Sequence, residues 1–93
     1  MKKLSDILYN SSILKVIGST DIDIHQLSID SRSADNGTCF IAIKGENTDG
    51  HHYIENAIAR GAVAVICEKM PDEIREGVTY VQVANSAYAA GNM

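Results

Sequence analysis

The chain has 93 residues, 45% apolar and 22% charged, values typical of one small soluble globular domain. Its formal net charge is -4 and its basic residues are scattered, so the electrostatic footprint of a nucleic-acid-binding protein is missing. The longest uninterrupted apolar run, residues 62–67, is too short to cross a membrane. Composition therefore predicts neither a nucleic-acid partner nor a membrane partner.

The two cysteines, Cys39 and Cys67, lie in apolar runs and lack the spacing of a metal site or of a disulfide framework. We expect both to be buried, reduced thiols, as in a cytoplasmic protein. His51 and His52 are adjacent at a predicted helix start and would point apart, so we predict solvent exposure for both and no metal site.

The first predicted element is a short helix over residues 4–9. Ser5 is a suitable N-cap for it. Leu4 precedes that cap and is placed to pack on Tyr9 as a hydrophobic staple.

Residues 25–30 alternate and predict a strand that has His25, Leu27 and Ile29 on one face. His25 is expected to be a partly buried core residue of that face. A turn follows, in which Gly37 is free to adopt a positive φ.

The middle of the chain predicts a βαβ unit. It consists of a strand over residues 39–44, a loop over 45–50, a helix over 51–60 that Gly61 ends, and a strand over 62–67. The predicted apolar stripe of the helix comprises Tyr53, Ile54, Ala57 and Ile58. Crossovers of this kind place their two strands parallel. The predicted fold is therefore α/β, with a small mixed or mostly parallel sheet flanked by helices.

The last third begins with a polar segment over residues 70–77. An alternating strand follows over residues 78–83. Asn85 or Ser86 then caps a helix that has barely two turns before the sequence ends. We expect residues 1–93 to form one domain cut from a longer protein, although a frayed terminal helix would explain the same pattern.

Polar residues follow two of the predicted strands. Asp30, Ser31 and Arg32 end one strand, and the loop between Gly45 and Gly50 ends the next. In open α/β sheets, ligands bind beyond the carboxyl ends of the strands. Hydroxyls, backbone amides and a guanidinium at these ends suit a phosphate-bearing ligand, although spacing alone does not place both ends at one edge.

A purely structural interpretation of the same residues remains open. Asp30 and Arg32 could form a local ion pair, Ser31 could simply end a strand, and the two loop glycines could be ordinary turn residues. The remaining carboxylates are expected on the solvated surface; they are Asp49, Glu55, Asp72, Glu73 and Glu76. No catalytic Ser-His-Asp or Cys-His set is predicted.

Several segments in fixed order resemble the first, uridine-nucleotide-binding domain of the Mur ligases, the ATP-dependent amide ligases of bacterial peptidoglycan synthesis. The matching residues are Asp30-Ser31-Arg32, Gly37, Phe40, Ala42, Gly45, Asp49-Gly50, Ile54, Ala57 and Gly61-Ala62-Val63-Ala64-Val65. The resemblance covers residues 4–93. Within the family, the run 81–83 before an alanine-rich helix is closer to the ligase that adds the third stem-peptide residue than to the ligase of the next step.

The resemblance implies substrate-binding residues at two places. Ile29 would contact the uracil or ribose, and Ser31 would donate to the diphosphate. Glu46, Asn47 and Thr48 would provide backbone and side-chain contacts from the loop. A carboxylate beside a diphosphate is unfavourable, so Glu46 is expected to point to solvent or to bind through its backbone.

The implied ligand is the UDP moiety of UDP-N-acetylmuramoyl-L-alanyl-D-glutamate. ATP and Mg²⁺ are expected for the full-length enzyme, but the sequence has no Gly-x-x-x-x-Gly-Lys-Ser/Thr phosphate loop. The central and C-terminal ligase domains would therefore lie downstream, and this chain alone is predicted to be inactive. The alternative is a freestanding nucleotide-sugar-binding or interaction module. The choice between diaminopimelate and lysine as the third residue is not encoded here.

Overall fold

The computed structural model describes residues 2–8, 13–44 and 49–85. Their elements, in chain order, are β1 (Lys2–Lys3), α1 (Leu4–Ile7), β2 (Ile13–Ile17), β3 (Asp23–Ile24), β4 (Gln26–Ser28), a 3-10 turn (Ser31–Ser33), β5 (Thr38–Ile41), a second 3-10 turn (Gly50–Tyr53), α2 (Ile54–Ala59), β6 (Ala64–Cys67) and β7 (Thr79–Val83). None of the described helices is long and apolar enough to span a membrane.

The described strands form a five-stranded sheet with the order β2-β7-β6-β5-β4, beside a two-stranded sheet of β1 and β3. Strands β4, β5, β6 and β7 are parallel to one another, and the edge strand β2 pairs antiparallel with β7. The predicted α/β class is confirmed. Strand β5, helix α2 and strand β6 form the predicted βαβ unit.

Both faces of this sheet are covered. Among the described residues, one core cluster contains Leu4, Leu8, Ile24, Cys39, Ile41, Ala64, Ile66, Val81 and Val83. A second cluster, on the other face of the sheet, contains Ala34, Phe40, Ala42, Ile54, Ala57, Ala62, Val65, Cys67 and Tyr80. Both cysteines are free and fully buried, as predicted. The alternation predicted for residues 78–83 is wrong, because four of the five residues of β7 are buried in a strand covered on both faces.

The start of α1 differs from the prediction. Lys3, not Ser5, occupies the N-cap position, and no side chain caps the helix. The first amides are satisfied by tertiary backbone bonds instead, from Leu4 N to Ile22 O at 2.8 Å and from Ser5 N to Thr20 O at 3.0 Å. Those acceptors are distant in sequence, so capping rules could not find them. The staple partner Tyr9 lies outside the described residues.

The environment of His25 also differs. His25 is exposed rather than part of the core. Its backbone N–H donates to Gly37 O at 2.9 Å, and its ring lies directly over Gly37. Gly37 has the predicted positive φ, +88°, and a Cβ there would collide with the His25 ring. His25 therefore lies over the turn at Gly37 and outside the apolar core.

Candidate functional site

The carboxyl ends of β4 and β5 meet at one edge of the sheet. The two strands are parallel, with Ser28 opposite Phe40 in the ladder. The segment after Ser28 and the segment after Ile41 therefore leave the sheet side by side. The topology provides the common edge that the spacing of the sequence could not establish.

A cleft of about 670 Å³ opens at this edge. It is lined by Ile29, Asp30, Ser31, Arg32, Phe40, Ile43, Gly50, Tyr53 and Asn56. The lining combines the polar segment after β4 with the chain that follows β5 and with the start of α2. A cleft of this size is within the range usual for small-molecule and cofactor sites.

Ser31 is the most unusual polar residue of the cleft. It begins a 3-10 turn, and the Asp30 side chain caps that turn by accepting from Arg32 N at 2.9 Å. Ser31 is only 8% exposed, yet its hydroxyl makes no hydrogen bond to any described residue. The backbone O of Ser31, by contrast, accepts a hydrogen bond from Ala34 N at 3.3 Å. A buried hydroxyl without a partner is costly, and a ligand at this position would satisfy it.

Asp30 and Arg32 form the local ion pair that the structural interpretation predicted. Arg32 Nε donates to Asp30 Oδ1 at 3.1 Å, and Arg32 Nη2 donates to Asp30 Oδ2 at 3.0 Å. Hydrogen bonds from the Arg32 side chain, then from its backbone, lower the pKa of Asp30. The pair is largely solvent-exposed, so it orients the guanidinium at the cleft more than it stabilises the fold.

Ile29 and Tyr53 give the cleft that contains Ser31 an apolar part. Ile29, one of the predicted binding residues, lies in the cleft and is 63% exposed. Tyr53 was predicted to belong to the buried stripe of the helix, which is wrong, because Tyr53 ends a 3-10 turn and is half exposed in the cleft. Asn56 also lines the cleft, although sequence reasoning missed it because its polar helix face resembled ordinary solvated surface.

The chain that returns from the loop approaches β5 very closely. Lys44 and Asp49 form an antiparallel bridge, and Gly50 N donates to Ile43 O at 2.9 Å. A Cβ at Gly50 would lie 2.8 Å from Ile43 N, so this approach requires glycine. The base of the loop is thereby fixed beside the cleft. The predicted binding residues Glu46, Asn47 and Thr48 lie outside the described residues and stay predictions.

His51 is not the solvated residue that was predicted. Its side chain is 14% exposed, and its Nδ1 lies 2.7 Å from Asp49 Oδ1. Its Nε2 accepts from the backbone N–H of Glu68 at 3.0 Å and of Lys69 at 3.3 Å. Asp49, also predicted as solvated surface, is instead partly buried. Its carboxylate accepts from His51 N, and that bond, then the His51 side chain, lowers the pKa of Asp49. His52 is exposed, as predicted.

The described residues do not fit an ATP or Mg²⁺ site. No Gly-x-x-x-x-Gly-Lys-Ser/Thr phosphate loop occurs in the sequence. Among the residues that the structure describes, no group of three or more His, Cys, Asp or Glu side chains is arranged to hold a metal ion. The cleft has the size and the mixed polar and apolar lining of a small-ligand site.

The comparison with known families assigns the class of protein. The family model described as Mur ligase family, catalytic domain, matches residues 23–93. The chain belongs to the Mur ligase family.

The similar curated proteins narrow this class. The chain is similar to the UDP-N-acetylmuramoyl-L-alanyl-D-glutamate--2,6-diaminopimelate ligase of Bacteroides fragilis, with 47% identity over 89 residues. The ligase of the same name from Cytophaga hutchinsonii is 40% identical over 90 residues. Each match covers 96% of this chain but only 18% of the relative, so the chain spans about a fifth of the length of these proteins.

Solved structures of Mur ligases share the fold. The UDP-N-acetylmuramoylalanyl-D-glutamyl-2,6-diaminopimelate--D-alanyl-D-alanyl ligase of Acinetobacter baumannii matches with a TM-score of 0.66 and 32% identity, over 74% of this chain and 15% of that chain. MurF from Thermotoga maritima, solved in complex with ADP, matches with a TM-score of 0.61 and 28% identity, over 68% of this chain and 14% of that chain. The α/β architecture is therefore that of a Mur ligase domain.

Proposed function

We propose that this chain is the N-terminal substrate-anchoring domain of a Mur ligase and that its cleft holds the UDP end of UDP-N-acetylmuramoyl-L-alanyl-D-glutamate. The observation that carries the proposal is the Ser31 hydroxyl, which is buried, lines the cleft and has no partner among the described residues. A diphosphate oxygen is a charged acceptor, and hydrogen bonds to charged acceptors are about twice as strong as neutral ones.

The other cleft residues would contact different parts of the same ligand. The exposed side chain of Ile29 provides an apolar surface for the uracil or ribose. Arg32, held by Asp30, places guanidinium N–H donors at the same rim. Asn47 and Thr48 supply amide and hydroxyl groups from the loop, and Glu46 binds through its backbone or faces solvent. These loop contacts are supported by the family resemblance and by the position of the loop base, which adjoins the cleft.

The longer protein would add the third residue to the stem peptide in an ATP-dependent reaction. The names of the Bacteroides fragilis and Cytophaga hutchinsonii relatives support diaminopimelate as that residue. ATP and Mg²⁺ would bind in domains outside this chain, and the reaction would take place in the cytoplasm. Binding energy from the nucleotide end would serve to orient the distant dipeptide for reaction. MurF-type function is a less supported alternative, since the MurF structures indicate the shared family fold.

A chemical-shift map tests the proposal. UDP or the UDP-N-acetylmuramoyl-dipeptide should shift the amide resonances of Ile29, Ser31 and the 47–48 pair together, because both strand ends adjoin one cleft. ADP serves as the control for the base and should give smaller shifts. A neighbouring cleft of about 470 Å³ includes His52 and Met70. Shifts confined to that second cleft, with Ser31 unchanged, would refute the proposed site.

A further inference from the structure

His51 joins two segments at the carboxyl edge that are otherwise separate in sequence. On one side it contacts Asp49, at the end of the loop that follows β5. On the other side it accepts hydrogen bonds from Glu68 and Lys69, immediately after β6. These contacts span 17 and 18 residues of sequence. The imidazole therefore fixes the position of the loop base relative to the neighbouring strand.

The hydrogen bonds define the protonation state of this imidazole. Two backbone N–H groups point at Nε2, so Nε2 must be an unprotonated acceptor. The single proton of the neutral ring is then on Nδ1, which donates to Asp49 Oδ1 at 2.7 Å. A second proton on Nε2 would replace an acceptor with a donor facing two donors, and both backbone bonds would be lost.

The contact is directly connected to the cleft. Asp49 precedes Gly50, and Gly50 lines the cleft and donates to Ile43 O. Asp49 Oδ1, which lies against His51 Nδ1, also accepts from the His51 backbone N–H, so the imidazole and the start of the returning chain share one carboxylate oxygen. Asp49 is therefore the residue that links the imidazole to Gly50 and the cleft.

We propose that His51 is a positioning residue for nucleotide binding, and that protonation of its imidazole releases the loop base from the end of β6 and weakens binding in the cleft. This inference rests on the proposed function, because it takes the cleft to be the UDP site. His51 lies outside that cleft and acts through Asp49 and Gly50.

The charged and titratable groups around His51 have both signs. Those that line the adjoining second cleft are Lys44, Asp49, His52, Glu68, Lys69 and Asp72. Asp49 is in direct contact with Nδ1, and the backbone N–H groups of Glu68 and Lys69 are in direct contact with Nε2. A neutral ring therefore makes the complete bridge from Asp49 to the end of β6, whereas a doubly protonated ring keeps only the Asp49 contact.

Calorimetric titration of the 93-residue chain with a UDP-sugar tests the effect on binding. A UDP-sugar is suitable because its diphosphate is esterified at both ends and keeps a constant charge. On lowering the pH from about 8 to about 5.5, we expect the wild-type Kd to rise about fivefold, the factor that corresponds to one neutral hydrogen bond. His51→Gln retains a non-titrating acceptor and should bind with a nearly constant Kd. The matched control His52→Gln changes an exposed imidazole and should retain the wild-type pH dependence.

NMR of the same proteins separates this inference from the proposed function. In the free wild-type chain, the ring nitrogens of His51 should show the neutral Nδ1–H tautomer, and the Gly50, Glu68 and Lys69 amides should shift together over the same pH range. These shifts should be lost in His51→Gln. If no UDP-sugar binds, the proposed function fails and the pH inference for binding fails with it, even where the amide shifts report the bridge. If it binds but wild type and His51→Gln have the same pH dependence, or if Nε2 carries the proton at neutral pH, only the His51 inference is overturned.

Discussion

Removal of the Ser31 hydroxyl should change ligand affinity and stability in opposite directions. In Ser31→Ala, the ligand loses one hydrogen bond to a charged group, about 1.5–3 kcal/mol, so the Kd for a UDP-sugar should rise roughly 10- to 150-fold. In the free chain, the hydroxyl is buried without a partner among the described residues. Its removal should therefore leave the free energy of unfolding unchanged or raise it by up to about 1 kcal/mol.

Titration calorimetry measures the first quantity, and urea unfolding measures the second. Ser33→Ala is a matched control, because Ser33 is an exposed residue of the same 3-10 turn. Its hydrogen bonds to described residues use the backbone alone, which the substitution keeps: Ser33 N donates to Asp30 O, and Ser33 O accepts from Gln26 Nε2. Both quantities should remain within about 0.5 kcal/mol of wild type in that variant. Unchanged affinity in Ser31→Ala would refute the role of the hydroxyl. A loss of stability above about 1 kcal/mol would show that the hydroxyl has an internal partner instead.

Three further outcomes are expected. The chain should show no ATP hydrolysis and no amide-bond formation with saturating ATP and both substrates, because its sequence lacks the phosphate loop; turnover above the buffer background would contradict this. Burial raises the pKa of Cys39 to about 12 and of Cys67 to about 11, so both should react slowly with a thiol reagent until denaturant is added, and fast native labelling of either would be inconsistent with the core. The pKa of Asp49 is lowered, chiefly by the hydrogen bond that its carboxylate accepts from the His51 backbone N–H, so its contribution to stability is present at neutral pH and is lost as the pH falls through the folded-state pKa. Asp49→Asn should therefore flatten the acid limb of a plot of unfolding free energy against pH. An unchanged limb would argue against that hydrogen bond.

The βαβ unit could be predicted because its signals are local. The apolar run of β6 and Gly61 after α2, which has the expected positive φ of +115°, are visible in the sequence without knowledge of tertiary contacts. Strand β2 was missed for the opposite reason. It is an edge strand in which four of five residues are exposed, and its pairing with β7 involves residues more than sixty positions away.

The candidate site could be predicted only in part. The position of Ile29 and Ser31 after a strand was visible in the sequence, and the parallel pairing of β4 with β5 brings both into one cleft. The sequence did not show that the Ser31 hydroxyl has no partner among the described residues, since this depends on the packing around the turn. The contacts of His51 were also hidden, because its partners are backbone amides after β6, and such groups have no sequence signature.

The most direct test of the proposed site is a set of intermolecular NOEs from the uracil H5 and H6 protons of a bound UDP-sugar. The account predicts NOEs to the methyl groups of Ile29, which is exposed in the cleft, and to the ring of Tyr53 on the same lining. NOEs to Met70 or His52 of the second cleft, with none to Ile29, would contradict it.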